Sequence, residues 1–326
     1  MPASVRALET SCRKVGLLAG LCALVLLTVV IGETAANAAI HHAAAMASNE
    51  LTVVKAVVLG AVEGITEFLP ISSTGHLLVA ERLLHVGQKT ATKEATDTYT
   101  VVIQLGAILA VLVVSWKRVL TLFQGLVGKS ESGRKILIAL VCAFVPTAII
   151  GLVLDQPIQD HFLKAGVVAA AWIVGGLAIL ALTKRYQKAQ TTGRALESMV
   201  WKHGVIIGLS QAISVVWPGT SRSLVTIMAA VLLGYSLSAA VEFSFILGLA
   251  TLGAASFYKL AKDGSVVVDT FGVANPVIGM VVAFVTALVA VKWMIAYLHK
   301  NNLTLFAFYR IAAGLLTLGL IAANRI

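Results

Sequence analysis

Charge is what this sequence has least of: Asp, Glu, Lys and Arg make up 12% of its 326 residues, roughly half the share of an ordinary soluble domain. Cysteine is nearly absent too. Its three copies, Cys12, Cys22 and Cys142, are scattered without metal-like spacing, which excludes a disulfide framework and a zinc site. Acidic residues are the rarer sign, 15 against 25 basic, for a net charge of +10. The basic residues fall between apolar runs, where positive-inside asymmetry puts them, so the charge requires no nucleic-acid partner. What is present instead is apolar: 59% hydrophobic residues and a mean hydropathy of +0.93. Stretches free of Asp, Glu, Lys and Arg run 15–32, 98–116, 136–154, 165–183, 204–221, 223–241, 243–258, 270–291 and 311–324. A membrane span needs roughly 20 apolar residues, and lipid offers the backbone no partners, so these stretches are expected to be helices. The class is an all-α integral membrane protein surrounded by membrane lipids.

Residues 1–50 form an extension: Arg13-Lys14, an uncharged run from Val15 to Gly32, and small residues around Ala35 to Ala39. That is the pattern of a secretory signal peptide, and an uncleaved signal anchor has the same one. Either way Arg13 and Lys14 stay cytoplasmic, and His41 to Leu51 lie on the far side. Residues 51–326 then read as a single membrane domain.

The domain carries an internal repeat. Gly60 and Pro70 fall on Gly208 and Pro218, 148 residues on, which sets Ser72-Ser73 over Thr220-Ser221. Val141 to Val145 match Val281 to Val285 at an offset of 140, and Gly176-Leu177 match Gly314-Leu315 at 138. Repeat 1 covers 51–185 and repeat 2 covers 200–326. Each holds a polar hairpin and three plain spans: 51–84, then 98–116, 135–154 and 165–183; and 201–234, then 240–258, 275–298 and 305–323. Three spans per half is an odd number, so hairpins that enter and leave on one side make the halves inverted copies. The expected architecture is six transmembrane helices plus two re-entrant helical hairpins in an inverted-topology repeat. Loop charges agree. Lys117, Arg118, Lys129, Arg134 and Lys135, and Lys184, Arg185, Lys188, Arg194 and Lys202, come out cytoplasmic. The segments 155–164 and 259–269, where Asp155, Asp160, Asp263 and Asp269 offset the basic residues, come out periplasmic.

The first hairpin places Glu63, Glu67, Ser72, Ser73, Thr74 and His76 in an apolar background. Ionisable groups at membrane depth cost at least ~2.5 kcal/mol each on insertion scales and mark functional cavities. Glu63 and Glu67 are spaced i,i+4, which puts both carboxylates on one helix face. Pro70 ends or kinks that helix, and Ser72 and Ser73 are candidate N-caps of the return helix. A helix start lined with hydroxyls is a phosphate site, and His76 lies about one turn away, able to exchange protons. In the second hairpin Arg222 can hold phosphate oxygens bidentately, with Thr220, Ser221 and Thr226 supplying hydroxyls. It has the design of the first, with arginine in the place of Thr74. The carboxylates would repel a bare diphosphate, which implies a divalent cation, Mg²⁺ or Ca²⁺, on Glu63 and Glu67.

The stretch EGITEFLPISSTGH, Glu63 to His76, together with PGTSRS at 218–223, resembles the BacA-type undecaprenyl-diphosphatase family, bacitracin-resistance proteins that recycle the lipid carrier of peptidoglycan synthesis. The likeness covers 51–326, with family-like segments at Val102 to Leu112, Glu242 to Phe245 and Phe308 to Arg310. It implies six spans with two re-entrant hairpins, water-dependent loss of the terminal phosphate of a polyprenyl diphosphate lipid, and a divalent metal. It also implies a site facing the periplasm in a bacterial inner membrane. Functional positions carry over onto Glu63, Glu67, Ser73 and His76, and onto Ser221, Arg222 and Thr226. The chain departs from the family pattern at Leu224, where glycine is usual, and at Ala250, where proline is usual; neither position bears a reactive group.

Two attackers fit these residues. Either Ser73 is the nucleophile, activated by His76 or Glu67, or Glu67 activates a water while His76 protonates the departing oxygen. A rival class is a flippase for lipid phosphate that uses the same midplane site. Arg310, in an otherwise apolar span, reads as a structural anchor paired with Glu242 or as a second phosphate ligand. Gln104 and Gln211 read as interhelical hydrogen-bond partners.

Overall fold

A chain this apolar satisfies its backbone within helices, and packs them by bringing small residues together where lipid gives no hydrophobic drive. The computed structural model of the protein describes residues 50–161 and 163–326, with backbone alone for 154–161. The signal-peptide or anchor reading of residues 1–49 and the charges at Asp155 and Asp160 lie outside what is described. The described part is all-helical, its only β feature a single bridge between Arg194 and Tyr235.

The order is α1 (Val53–Thr66), α2 (Ser73–Leu84), α3 (Thr90–Val114), α4 (Trp116–Leu126), α5 (Glu131–His161), α6 (Ala165–Ala181) and α7 (Thr183–Thr192). A 3₁₀ turn at Leu196–Ser198 precedes α8 (Trp201–Val216), α9 (Arg222–Leu232), α10 (Leu237–Phe271), α11 (Ala274–Leu298) and α12 (Thr304–Ala322). Five described helices, α3, α5, α10, α11 and α12, are long and apolar enough to cross a membrane; α6 and α7, bent by 56° at their junction, make a sixth if counted as one span.

Charge misplaced several expected boundaries. The helix expected from 98 starts at Thr90, and the segment 259–269, expected as a loop, is the continuation of α10. The reason is that i,i+4 ion pairs sit comfortably on helices: Lys93 bonds Asp97 at 2.7 Å and Lys259 bonds Asp263 at 2.6 Å. The basic loops likewise hold helices, α4 and α7, and α4 exposes Leu120, Phe123 and Leu126.

Glycines settle how the halves interlock. Helix α1 packs on α11, with Gly60 against Gly279 and Gly64 against Ala283. Helix α8 packs on α5, with Gly204 against Ala139 and Gly208 against Ala143. Each hairpin therefore leans on a long helix from the other half of the chain. The pair α6 and α12 is its own image: a Cβ on Gly176 would lie 2.7 Å from Ile311 Cγ1 and 2.8 Å from the Ala307 oxygen, and one on Gly314 the same distances from Ile173 Cγ1 and the Ala169 oxygen. The contacts match Gly64 with Gly208, where sequence alignment had set Gly60. Phe68, Leu69 and Ile71, from the turn after α1, share one buried cluster with Leu224 and Ile227 of α9.

Glu242 does not pair with Arg310. It accepts from Arg118 at 2.7 and 3.1 Å, and Arg118 also meets Glu197 at 2.9 Å. Burial works against the Arg118 cation, but the two carboxylates outweigh it and hold its pKa above the ordinary value.

Candidate active site

Helix α1 ends at Thr66, and the Glu67 N–H still bonds the Glu63 carbonyl at 2.9 Å, so both glutamates keep helical spacing up to the turn. The chain reverses through Phe68 to Ser72, and Ser72 caps α2 at φ 74°, its Oγ accepting from the Gly75 N–H at 3.4 Å. The second turn repeats this: Ser221 caps α9 at φ 77°, with Oγ accepting from the Leu224 N–H at 3.3 Å. A non-glycine residue at such a φ costs on the order of 1–3 kcal/mol and persists where the surroundings over-determine it. The caps therefore align Ser72 with Ser221, and Ser73, not Thr74, with Arg222. Pro70 stands two residues before its cap and Pro218 three before its own, so the second turn has one extra residue between proline and cap, absorbed by Gly219 at φ 93°. Leu224 needs no glycine, since it lies within α9 and is buried, and α10 runs unbroken through Ala250.

Side chains from the two turns join at Glu67. One carboxylate oxygen accepts from Ser73 Oγ, and the other accepts from Arg222 Nη2 at 3.0 Å. Glu67, Ser73 and the Arg222 side chain are largely removed from solvent, where a charge-assisted contact of this kind is strong. Arg222 also donates to the Ser244 carbonyl at 2.9 Å, lies 5.1 Å over the Phe68 ring, and packs against Gly248, where any Cβ would push the guanidinium from this place. Ser223 Oγ ties the second turn to the first by donating to the Leu69 carbonyl at 2.9 Å.

Several buried polar atoms at this junction have no protein partner: both Glu63 carboxylate oxygens, Thr220 Oγ1 and Arg222 Nε. Glu63 is 1% exposed. A buried carboxylate without donors is costly, and bare oxygens of this sort are what a hard cation binds.

His76 is engaged elsewhere. Its Nδ1 lies 2.6 Å from the Ser72 carbonyl, which can only accept, so Nδ1 carries the hydrogen; Nε2 faces the Tyr309 hydroxyl at 2.8 Å, and the ring lies 4.5 Å from Trp172. Ser73 thus meets Glu67 and not His76. Thr74 is exposed. Thr226 hydrogen-bonds the Arg222 carbonyl at 3.0 Å and Ser244 Oγ at 2.7 Å, so its hydroxyl holds α9 against α10. Ser221 Oγ meets Ser223 Oγ at 3.0 Å. Sequence reasoning did not single out Tyr309, Ser244, Ser223 or Gly248. Ser223 lay within the PGTSRS motif, and Ser244 and Tyr309 within the family-like segments Glu242 to Phe245 and Phe308 to Arg310; Gly248 gave no signal, since helical spacing alone does not reveal which residues face another helix.

The family described as bacitracin resistance protein BacA matches residues 56–316. An undecaprenyl-diphosphatase of Sorangium cellulosum is 40% identical over 81% of this chain and 85% of its own length. Undecaprenyl-diphosphatase 2 of Rhodospirillum rubrum is 42% identical over 81% of this chain and 93% of its own, and an undecaprenyl-diphosphatase of Rhizobium etli 40% identical over 84% and 98%. The match takes in both turns and all or most of each helix that positions them, and the chain belongs to the BacA family of bacitracin resistance proteins.

Proposed function

We propose that this chain hydrolyses undecaprenyl diphosphate to undecaprenyl phosphate and inorganic phosphate. The observation that carries the reading is Glu67, one carboxylate joined at once to the Ser73 hydroxyl of one turn and the Arg222 guanidinium of the other. A diphosphate would enter between the starts of α2 and α9, whose first N–H groups have no helical partner and favour anions. Arg222 offers its unpartnered Nε to the phosphate oxygens. Ser73 Oγ bonds the terminal phosphorus while its proton passes to Glu67. The bond from that phosphorus to the bridging oxygen breaks, and undecaprenyl phosphate leaves with the oxygen. Water then attacks the phosphoserine; Glu67 returns its proton to Ser73 Oγ, and His76 Nε2, held at the exposed edge by Tyr309, takes the proton the water loses. Glu63 and Glu67 would hold Mg²⁺ or Ca²⁺, which when bound offsets the diphosphate charge. Among the described residues no three His, Cys, Asp or Glu side chains gather as a site, so two carboxylates would leave the remaining positions to phosphate oxygens and water.

The same reading makes the two hairpins re-entrant from opposite sides in a six-span inverted repeat, with the site facing the periplasm of a bacterial inner membrane. Contacts at the helix ends support it. Leu51 meets Asn275, and Gly87 lies on Thr96, so the first hairpin begins and ends beside the starts of α3 and α11, the latter following directly on the charge-balanced segment 259–269 that ends α10. The 3₁₀ turn before α8 is joined through Arg118 to the start of α10, and Arg194 bonds the Gly234 carbonyl, so the second hairpin begins and ends at the basic end.

The test is phosphate release from undecaprenyl diphosphate by purified protein in detergent, where there is no membrane to cross. Release that is lost in Glu67→Ala and Arg222→Ala supports the proposal; an intact protein that releases none, as a pure flippase would, sinks it.

A further inference from the structure

Arg310 is wholly buried in α12, and the steps above do not use it. Its hydrogen bonds go to backbone carbonyls: Nη1 to Pro70 at 3.2 Å, Nη2 to Gly219 at 3.1 Å and to Ala171 at 2.9 Å, and Nε to Trp172 at 3.3 Å. Two of the four acceptors are in α6. The other two are in the turns, and they are equivalent: Pro70 stands two residues before the cap Ser72, and Gly219 two before the cap Ser221. One planar group with donors in a rigid fork therefore spans the same point of both turns and fixes their separation. Gly175, one turn after Ala171, is what lets the guanidinium in, because any Cβ there would collide with it. A buried cation held by neutral carbonyls is expensive at membrane depth, and such residues by default serve function.

We propose that Arg310 is a positioning residue that sets the two turns in register, so that Glu67 can reach Ser73 and Arg222 together. This rests on the assignment of those three groups to the reaction. A displacement of about 1 Å in a preorganised site costs on the order of 100-fold in rate, so loss of the spacer should lower kcat with little change in KM. Lysine cannot replace it, having a point charge in place of a fork.

The experiment uses the full chain in detergent and two readouts. The first is kcat and KM for phosphate release, with thermal unfolding alongside, for Arg310→Lys, Gly175→Ala, Arg310→Ala and the double variant. Expected are roughly 100-fold losses in kcat for both Arg310→Lys and Gly175→Ala, with KM within about threefold. The double variant should be no worse than Arg310→Ala, since alanine at 175 has nothing to displace once the guanidinium is gone. The second readout is independent of chemistry: the rate at which Leu69→Cys and Ser223→Cys form a disulfide, in a background without the native cysteines, should fall at least tenfold when Arg310→Lys is added. Unchanged cross-linking, or losses in kcat that track the melting temperature and add in the double variant, would overturn the proposal. Slowed cross-linking together with normal turnover of Ser73→Ala would leave Arg310 its place and remove Ser73 from the reaction.

Discussion

The two hairpins share a frame and divide the chemistry. Both reverse through a proline-bearing turn, both start the return helix on a serine at positive φ, and both present a carbonyl to Arg310 two residues earlier. At the first helical position one has Ser73 and the other Arg222, a hydroxyl opposite a cation. Counted back from the cap, the place of Glu67, buried and bonded to both, is taken by Val216, part exposed; in the helix packing that matches Gly64 with Gly208 it is taken by Gln211, buried and uncharged. Four residues after the cap His76 corresponds to Val225. The fold supplies two similar cradles, and in the proposed reaction the differences between them would supply the proton acceptor, the nucleophile and the clamp.

That division can be broken most severely at its bridge. Glu67→Gln and Arg222→Ala should each lower kcat for phosphate release on the order of 10³-fold, whereas Val216→Ala, as far before the second cap as Glu67 is before the first, should leave it within about twofold of the wild-type rate. If Val216→Ala were as damaging as Glu67→Gln, the asymmetry would be wrong. The proposed cation should belong to the first hairpin alone: chelation should remove activity, Mg²⁺ or Ca²⁺ should restore it, and Glu63→Gln should raise the metal concentration for half activity by about 10–100-fold, the scale of losing a supporting ligand. Restoration at unchanged metal concentration in Glu63→Gln would take Glu63 out of the site.

A smaller effect tests the clamp's seat. Gly248→Ala crowds Arg222 and should cost about 10- to 100-fold in kcat, while Gly253→Ala, with nothing within 4 Å of a Cβ there, should keep activity and gain a few tenths of a kcal/mol or more in stability by lowering chain entropy. The smallest effect should be equal in the two halves. Ser72→Ala and Ser221→Ala each lose a helix cap worth about 1 kcal/mol, read as similar drops in unfolding midpoint; a drop confined to one of them would mean that the caps are not equivalent.

Much of this was legible in the residues. The apolar runs gave helices, the two polar motifs gave the turns, and Glu63, Glu67, Ser73 and Arg222 stood out as polar groups in an apolar setting. Boundaries were harder, because Lys93 with Asp97 and Lys259 with Asp263 form ion pairs within helices that looked like loop charges. The register between the halves was also missed: the unequal turns put Ser73, not Thr74, against Arg222, and one inserted residue is invisible among serines and threonines. Thr226 has the right chemistry for a phosphate ligand, yet its hydroxyl faces Ser244.

The sequence by itself determined that the chain lives in lipid, that it is helical, and which two short segments carry reactive groups, because those properties follow from composition and local spacing. Tertiary structure alone decided which groups meet: that Ser73 faces Glu67 and not His76, that Arg118 takes Glu242, and that Arg310 holds both turns. A side chain's partner across a helix interface depends on rotation and depth of packing, which glycine notches such as Gly64, Gly175 and Gly208 set from elements far apart in the chain.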